Sequence, residues 1–556
     1  MSTKTLILGL DGADLELVFA LGRERLPNLH ALMDRGAYSH QQSVMPPATL
    51  PNWTTFLTGV DPGQHGVFDF TTRHGYRVTF SAGTVREAPT FMARLDRLGL
   101  ACCCVGFPAT WPPERLQHGV FISGWDAPVS FEADRSFVWP PPLHDTLTRR
   151  FGPLRFDEVD QFRADEPGWH ARLGSRLVDK IARRVELARF LLAMRRWDAF
   201  AFYFGESDTA SHYLWSLYDE GSPRRPAQVS QAEQTGLIRV YQALDQAVGE
   251  LVREAGPEAE ITLVSDHGSG GSSDKVVYLN RALADADLLR FKPPSGQARL
   301  ASLAKSFGLH ALSPRLRDRL FRFHGALLPS LLESRARFGA LDMPRTLAFS
   351  DELNYFPAVH LNQRGREPAG AFPASERKLV TRRVVDALER LRDPFSKRPI
   401  VARVYEREEL FVGPFVARAP DLIVELRLDR GYSYNLMPSA GAAPGSTVVT
   451  RLSPADYLGK KGRSLPGSHR PRGLFVAAGP RVVARGQLEL GIADASAIVL
   501  ARLDAAPPER ARGRVPDGLL RAGGPQRLLP AVPAQPAQRG DNSALERRLR
   551  SLGYID

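Results

Sequence analysis

The chain has 556 residues, of which 43% are hydrophobic and 24% charged, and its formal net charge is +12. These proportions exclude a mainly disordered or fibrous polypeptide and leave enough apolar side chains for a large core. Only three cysteines occur, consecutive at 102–104, so no disulfide framework can staple distant parts of the chain.

In chain order, the short apolar run at 6–10 ends at Asp11 and predicts a first strand rather than a cleavable leader. The Cys102–Cys104 run reads as a buried strand of small side chains. Leu173, Leu177, Ile181, Val185, Ala188 and Leu192 keep helical spacing and lead into an apolar strand at 199–204. Leu237, Val240, Tyr241, Leu244, Val248 and Leu251 repeat the pattern; Gly256 ends that helix and a buried-type strand follows at 261–264. A run at 473–478 closes the series. The alternation predicts an α/β fold with a mostly parallel central sheet and helices on both faces. The best candidate for a membrane span, 187–202, is broken by Arg189, Arg195, Arg196 and Asp198, so a soluble, cytoplasmic protein is expected.

Between 289 and 345 the rhythm is lost, and eleven basic residues stand against Asp318, Glu333 and Asp342, a surplus of eight positive charges. We read this stretch as an inserted, mainly helical cap dividing a core of residues 1–288 and 346–502. Its simplest role is a solvated charged face. The alternatives are an electrostatic funnel for an anionic substrate, or weak contact with acidic membrane through Leu316, Leu320, Phe323, Leu327 and Leu328. No aromatic stacking module or helix-turn-helix pattern occurs, so specific nucleic-acid binding is not expected. Residues 503–556 read as a Pro/Ala/Arg-rich linker followed by a terminal helix.

The residues just past the predicted strands carry the chemistry, because parallel sheets bind ligands beyond the carboxyl ends of their strands. Asp11-Gly12 follows the first; Glu206-Ser207-Asp208, with His212, follows the second; Asp266-His267-Gly268 follows the third; His469 lies near the last. Asp208 and His212, four apart, share one face of a helix and can share an ion. Mixed Asp/His ligation suits zinc better than magnesium or calcium, with manganese or iron as alternatives. In Thr49-Leu-Pro-Asn52, Pro51 pre-sets a helical turn, which places the Thr49 hydroxyl at a helix N-terminus suited to an anion. A divalent ion on that hydroxyl would make it a competent nucleophile, and Asn52 could donate to developing phosphoryl charge. Singly, each element has an ordinary reading: Asp208/His212 as a cap with a surface histidine, Thr49 as an N-cap, Asp266-His267-Gly268 as a turn.

Together and in this order, Asp11, the Thr49 segment with Thr58-Gly59-Val-Asp-Pro-Gly-Gln-His65-Gly66, Asp208 with His212, Asp266-His267-Gly268 and His469 resemble the alkaline phosphatase superfamily. The branch they resemble is the type I phosphodiesterase/nucleotide pyrophosphatase family. The segment from Gly106 to Pro113 and the ending from Leu549 to Tyr554 resemble its prokaryotic members. The resemblance implies two divalent metal ions, zinc or else manganese, one held by Asp208, His212 and His469, the other by Asp11, Asp266, His267 and the Thr49 oxygen. It further implies in-line attack by Thr49 on a phosphodiester or pyrophosphate of a small anionic substrate, a phosphothreonine intermediate that water hydrolyses, and Asn52 as the oxyanion-stabilising residue. Sulfatases of the superfamily carry a C/S-x-P-x-R motif, whereas this chain has no arginine there. Ser269 stands where relatives have a bulky residue, which leaves substrate choice open. The alternatives are a phosphomonoesterase or phosphotransferase of the same superfamily, and a binding protein that keeps the metals without turnover. His65 is expected to pack beneath the nucleophile loop.

Overall fold

Every side chain of the first strand, Thr5–Leu10, is buried, which requires cover on both faces. Leu6, Leu8 and Leu10 enter one core, while Ile7 enters another on the opposite face. This is the two-residue alternation of a strand. The same division holds for Ala199–Phe204, whose Phe200, Phe202 and Phe204 join the first core and whose Ala199, Ala201 and Tyr203 join the second. Cys103 and Val105 likewise face away from Cys102 and Cys104, so the three thiols belong to a buried strand, Cys102–Val105.

The computed structural model describes residues 3–80, 83–124, 134–154, 164, 166–293, 337–352, 356–439, 447–459 and 464–532. Its main sheet has nine strands in the order Gly486–Leu488, Ala37–Gln42, Arg472–Ala478, Glu260–Val264, Thr5–Leu10, Ala199–Phe204, Cys102–Val105, Val120–Ile122 and Val138–Trp139. The middle strands run parallel, with Thr5 opposite Ala199 and Glu260. Arg472–Ala478 and Val138–Trp139 run against their neighbours. The expected α/β architecture with a mostly parallel sheet between helices is therefore the one formed.

One face is covered by the long helices Trp169–Met194 and Gln231–Ala255, which bury the periodic apolar residues the sequence marks out. A capping box between Ser230 and Glu233 starts the second of these helices, satisfying two of its free amides, and Gly256 ends it. The other face is covered by Thr49–Thr58, Phe91–Arg97 and Ile492–Arg502. Among the described residues no helix is long and apolar enough to cross a membrane.

Two boundaries differ from expectation. Residues 348–426 do not continue the main sheet: Ala348–Ser350, Ala358–Leu361, Leu422–Leu426 and Val401–Glu406 form a separate antiparallel sheet. It has its own apolar core with the helix Arg377–Glu389, built on Phe349, Val359, Val380, Val384, Leu388 and Val424. Of the expected basic cap, 294–336 lies outside the described residues. Its flanks, Phe338, Leu341 and Met343, pack into this second core.

The expected linker is also packed along its described part, 503–532. Leu503, Ala505 and Leu519 are fully buried against the second face of the main sheet. Arg527 N–H bonds to Asp504 O, and Arg512 pairs with Asp61. Composition hid this because isolated apolar anchors among Pro, Gly and Arg carry no periodicity. The expected terminal helix lies outside the described residues. Leu519→Ala should cost about 2–5 kcal/mol by leaving a cavity, read as a lower urea midpoint; an unchanged midpoint would show the strap to be loosely held.

Candidate active site

Asp11, Asp208 and Asp266 all lie just beyond the carboxyl ends of three adjacent parallel strands. Asp208 and His212 stand one turn apart in the helix Glu206–Tyr218, which begins directly after its strand. The loop that carries Asp266 and His267 is braced from the side: Ser43 Oγ donates to Asp266 O and Gln41 Nε2 to Ser265 O.

His469 arrives by a different route. The short strand Gly467–Arg470 pairs antiparallel with Gly268–Val277, with His469 opposite Ser269. Gly467 makes this approach feasible, because a β-carbon there would lie 1.9 Å from Ser211 O and 2.9 Å from His212 Cα. Its carbonyl accepts from His212 Nδ1 at 3.1 Å.

All three histidines are held alike. His212 Nδ1 faces Gly467 O, His469 Nδ1 faces Pro47 O at 2.9 Å, and His267 Nδ1 faces Gly268 O at 3.0 Å. A carbonyl only accepts, so each Nδ1 donates, and in the neutral ring Nε2 then carries the lone pair. Those Nε2 atoms converge. His212 Nε2 is 3.0 Å from His469 Nε2, and Asp208 Oδ1 is 3.2 Å and 3.4 Å from the two. His267 Nε2 lies 3.2 Å from Asp266 Oδ2, 3.5 Å from Asp11 Oδ1 and 3.4 Å from Thr49 Oγ1. His267 also offers a ring nitrogen within 4.8 Å of ligand atoms of Asp208 and His469, so the two groups adjoin.

The carboxylates show the complementary pattern. Asp11 Oδ2 accepts from Trp53 Nε1 and Tyr203 Oη, and Asp266 Oδ1 accepts from Gly12 N–H. The remaining oxygens, Asp11 Oδ1 and Asp266 Oδ2, are buried without a hydrogen-bond donor, as is Asp208 Oδ1. A buried acceptor lacking a donor is costly, and facing lone pairs repel unless a cation stands between them. Ligands 2.0–2.1 Å from a tetrahedral zinc are about 3.3 Å apart, close to the Asp208, His212 and His469 separations. The residues present therefore fit a pair of divalent ions, in the donor sets Asp208/His212/His469 and Asp11/Asp266/His267.

Burial, and then the nearby Asp208 carboxylate, push Asp11 up to about 7. Burial and then Asp11 raise Asp266 well above the usual carboxylate range. Burial also acts to raise Asp208, but His212 and His469 hold it well below its ordinary value. Burial lowers His267 and His469, keeping them neutral, whereas at His212 the Asp208 carboxylate outweighs burial and raises it.

Thr49 is the first residue of the helix Thr49–Thr58, after Ala48 in an extended conformation. It is not the N-cap, and its hydroxyl is left to face the cluster. Pro51 has no N–H and Asn52 N–H closes on Ala48 O, so among the described residues the unspent donors of this turn are the Thr49 and Leu50 amides. Asn52 departs from expectation. Its fully buried Nδ2 donates to Val44, Pro46 and Ala48 carbonyls and its Oδ1 accepts from Val44 N–H, so the amide braces the loop before Thr49 and has nothing left for a phosphoryl oxygen. His65 packs beneath the helix, joined to Thr55 Oγ1, and burial lowers it to about 3. Glu206 turns from the cluster toward Arg184 and Lys180.

Sequence reasoning missed Trp53 and Tyr203, the donors to Asp11. Their signal was present: a tyrosine in the run Ala-Phe-Ala-Phe-Tyr-Phe needs a partner for its buried hydroxyl.

The family model described as type I phosphodiesterase / nucleotide pyrophosphatase matches residues 5–446. The chain belongs to this family. The match includes Thr49 and all the clustered ligands except His469, which the Gly467–Arg470 strand delivers from beyond it. Solved structures that resemble the chain include human ectonucleotide pyrophosphatase / phosphodiesterase 5, at 13% identity and TM-score 0.47, covering 92% of this chain and 97% of that one. They also include the murine protein, at 14% identity and TM-score 0.45, covering 91% and 96%. An inactive murine variant in complex with AMP gives 13% and 0.46 over 91% and 96%. No curated protein matches.

Two measurements check the site. Asp11 is less acidic folded, at about 7, than unfolded, at about 3.9, so the native chain holds the extra proton between those values. A divalent ion must displace that proton, so Zn²⁺ should raise the melting temperature of metal-stripped protein more at pH 7.5 than at pH 5; equal melting temperatures with chelator and with zinc would count against the site. Gly467→Ala should displace His469 and weaken zinc uptake by about 10-fold or more, measured by chelator competition.

Proposed function

We propose that this family member is a metal-dependent hydrolase of phosphodiester or pyrophosphate bonds in a small anionic substrate, with Thr49 as nucleophile. The observation that carries the reading is the Thr49 hydroxyl 3.4 Å from His267 Nε2, at the edge of two adjoining Asp/His groups. Asp208, His212 and His469 would hold one divalent ion and Asp11, Asp266 and His267 the other, zinc by their mixed nitrogen and oxygen donors. When bound, such ions make a hydroxyl nucleophilic near neutral pH and offset charge on phosphoryl oxygens.

Thr49 Oγ, its proton passed to water, attacks phosphorus in line with the leaving oxygen; the new P–O bond forms as the old one breaks, the alcohol or phosphate leaving group departs and takes up a proton from water, and the threonine is left phosphorylated. Water then displaces Thr49, and two inversions retain configuration. The Thr49 and Leu50 amides, at the positive end of their helix, are placed to take the phosphoryl oxygens that Asn52 cannot. Packing of Leu50 with Val67 and Ala109 fixes this turn.

Thr49→Ala should reduce hydrolysis of bis-aryl phosphate by at least about 1000-fold while zinc content and melting temperature stay unchanged. Parallel rates on bis-aryl phosphate, mono-aryl phosphate and aryl sulfate test the substrate class. Faster monoester turnover would replace the diesterase by a phosphomonoesterase, and turnover that survives Thr49→Ala would remove the threonine from the mechanism.

A further inference from the structure

We infer that Trp53 and Tyr203 are positioning residues that clamp one oxygen of Asp11, so that the carboxylate meets its ion through Oδ1 alone and in fixed register with the Thr49 helix. The inference rests on the proposed two-ion site.

Asp11 Oδ2 accepts from Tyr203 Oη at 2.6 Å and from Trp53 Nε1 at 2.9 Å, and all three residues are buried. Two donors on one oxygen leave it little capacity to chelate. Oδ1 has no hydrogen-bond donor and faces His267 Nε2. Trp53 lies four residues after Thr49 on the same helix, hence on the same face. Its indole therefore ties the element carrying the hydroxyl directly to a ligand on the first strand. Tyr203 ties that ligand to the neighbouring strand.

The surrounding packing makes the clamp stiff. Trp53 meets Phe107 and Tyr203 edge-on, at ring-centre distances of 5.1 Å and 5.6 Å. Gly9 lies beneath them; a β-carbon there would approach both the Trp53 and Phe107 rings to 2.9 Å. The indole thus has no room to withdraw from Asp11. Hydrogen-bond partners that orient metal ligands in this way typically change affinity or activity by about 10–100-fold when removed.

Zinc titration of the metal-free chain against a chromophoric chelator tests the clamp without substrate. Tyr203→Phe and Trp53→Phe should each raise one of two dissociation constants by about 10–100-fold and leave the other unchanged, with kcat reduced and KM preserved. Phe91→Leu, which trims the same apolar core at Phe56 without a ring contact to Trp53 or Tyr203, should leave both constants unchanged. Wild-type constants in the Tyr and Trp variants, equal weakening by Phe91→Leu, or a single zinc constant in the wild-type chain would each overturn the inference. If Trp53→Phe fails to fold, Tyr203→Phe decides, since it removes one oxygen atom. A wild-type chain that binds two ions but turns over no phosphoester would defeat the proposed reaction and leave the clamp standing.

Discussion

Fixing three imidazoles through their Nδ1 protons is the constraint on which the rest of the site depends. Each proton goes to a main-chain carbonyl, which holds the three Nε2 atoms turned toward the carboxylate oxygens. The carboxylates add to the crowding instead of dispersing it, because their donors occupy the oxygens turned outward. A protein core ordinarily avoids gathering acceptors without donors. Here the fold maintains such a gathering at the rim of its main sheet, and a bound cation would offset it.

The sheet supplies the rigidity. Three adjacent parallel strands end together, and their buried registers fix where Asp11, Asp208 and Asp266 begin their loops. Helices pack both faces, so the strands cannot slip without turning an entire apolar set toward the wrong core. The Thr49 helix lies on one face and the Asp208 helix follows directly from a central strand, so hydroxyl and ligands approach each other over the sheet's edge.

Much of this was legible in the sequence because it is periodic or sits at a strand end. The α/β alternation, the Gly256 helix stop and the clustering of Asp11, Asp208, His212, Asp266, His267 and His469 could all be anticipated from local pattern and family resemblance. What escaped depends on contacts between distant segments. The amide of Asn52 is consumed by a loop whose path no spacing rule reveals. The lobe formed by residues 348–426 has ordinary strand and helix signals, and nothing in them says which sheet they join. The 503–532 strap looks like a linker because its anchors are sparse. Trp53 and Tyr203 read as core aromatics, and their polar tips acquire meaning only when Asp11 is placed beside them.

The late entry of His469 bears on the order in which the molecule can assemble. The strand Arg472–Ala478 lies between Ala37–Gln42 and Glu260–Val264, and the Gly467–Arg470 strand immediately precedes it. Until residues 467–478 dock, two sheet edges stand open and one imidazole of the Asp/His cluster is missing. Closure of the edges and completion of the cluster are thus a single event in assembly.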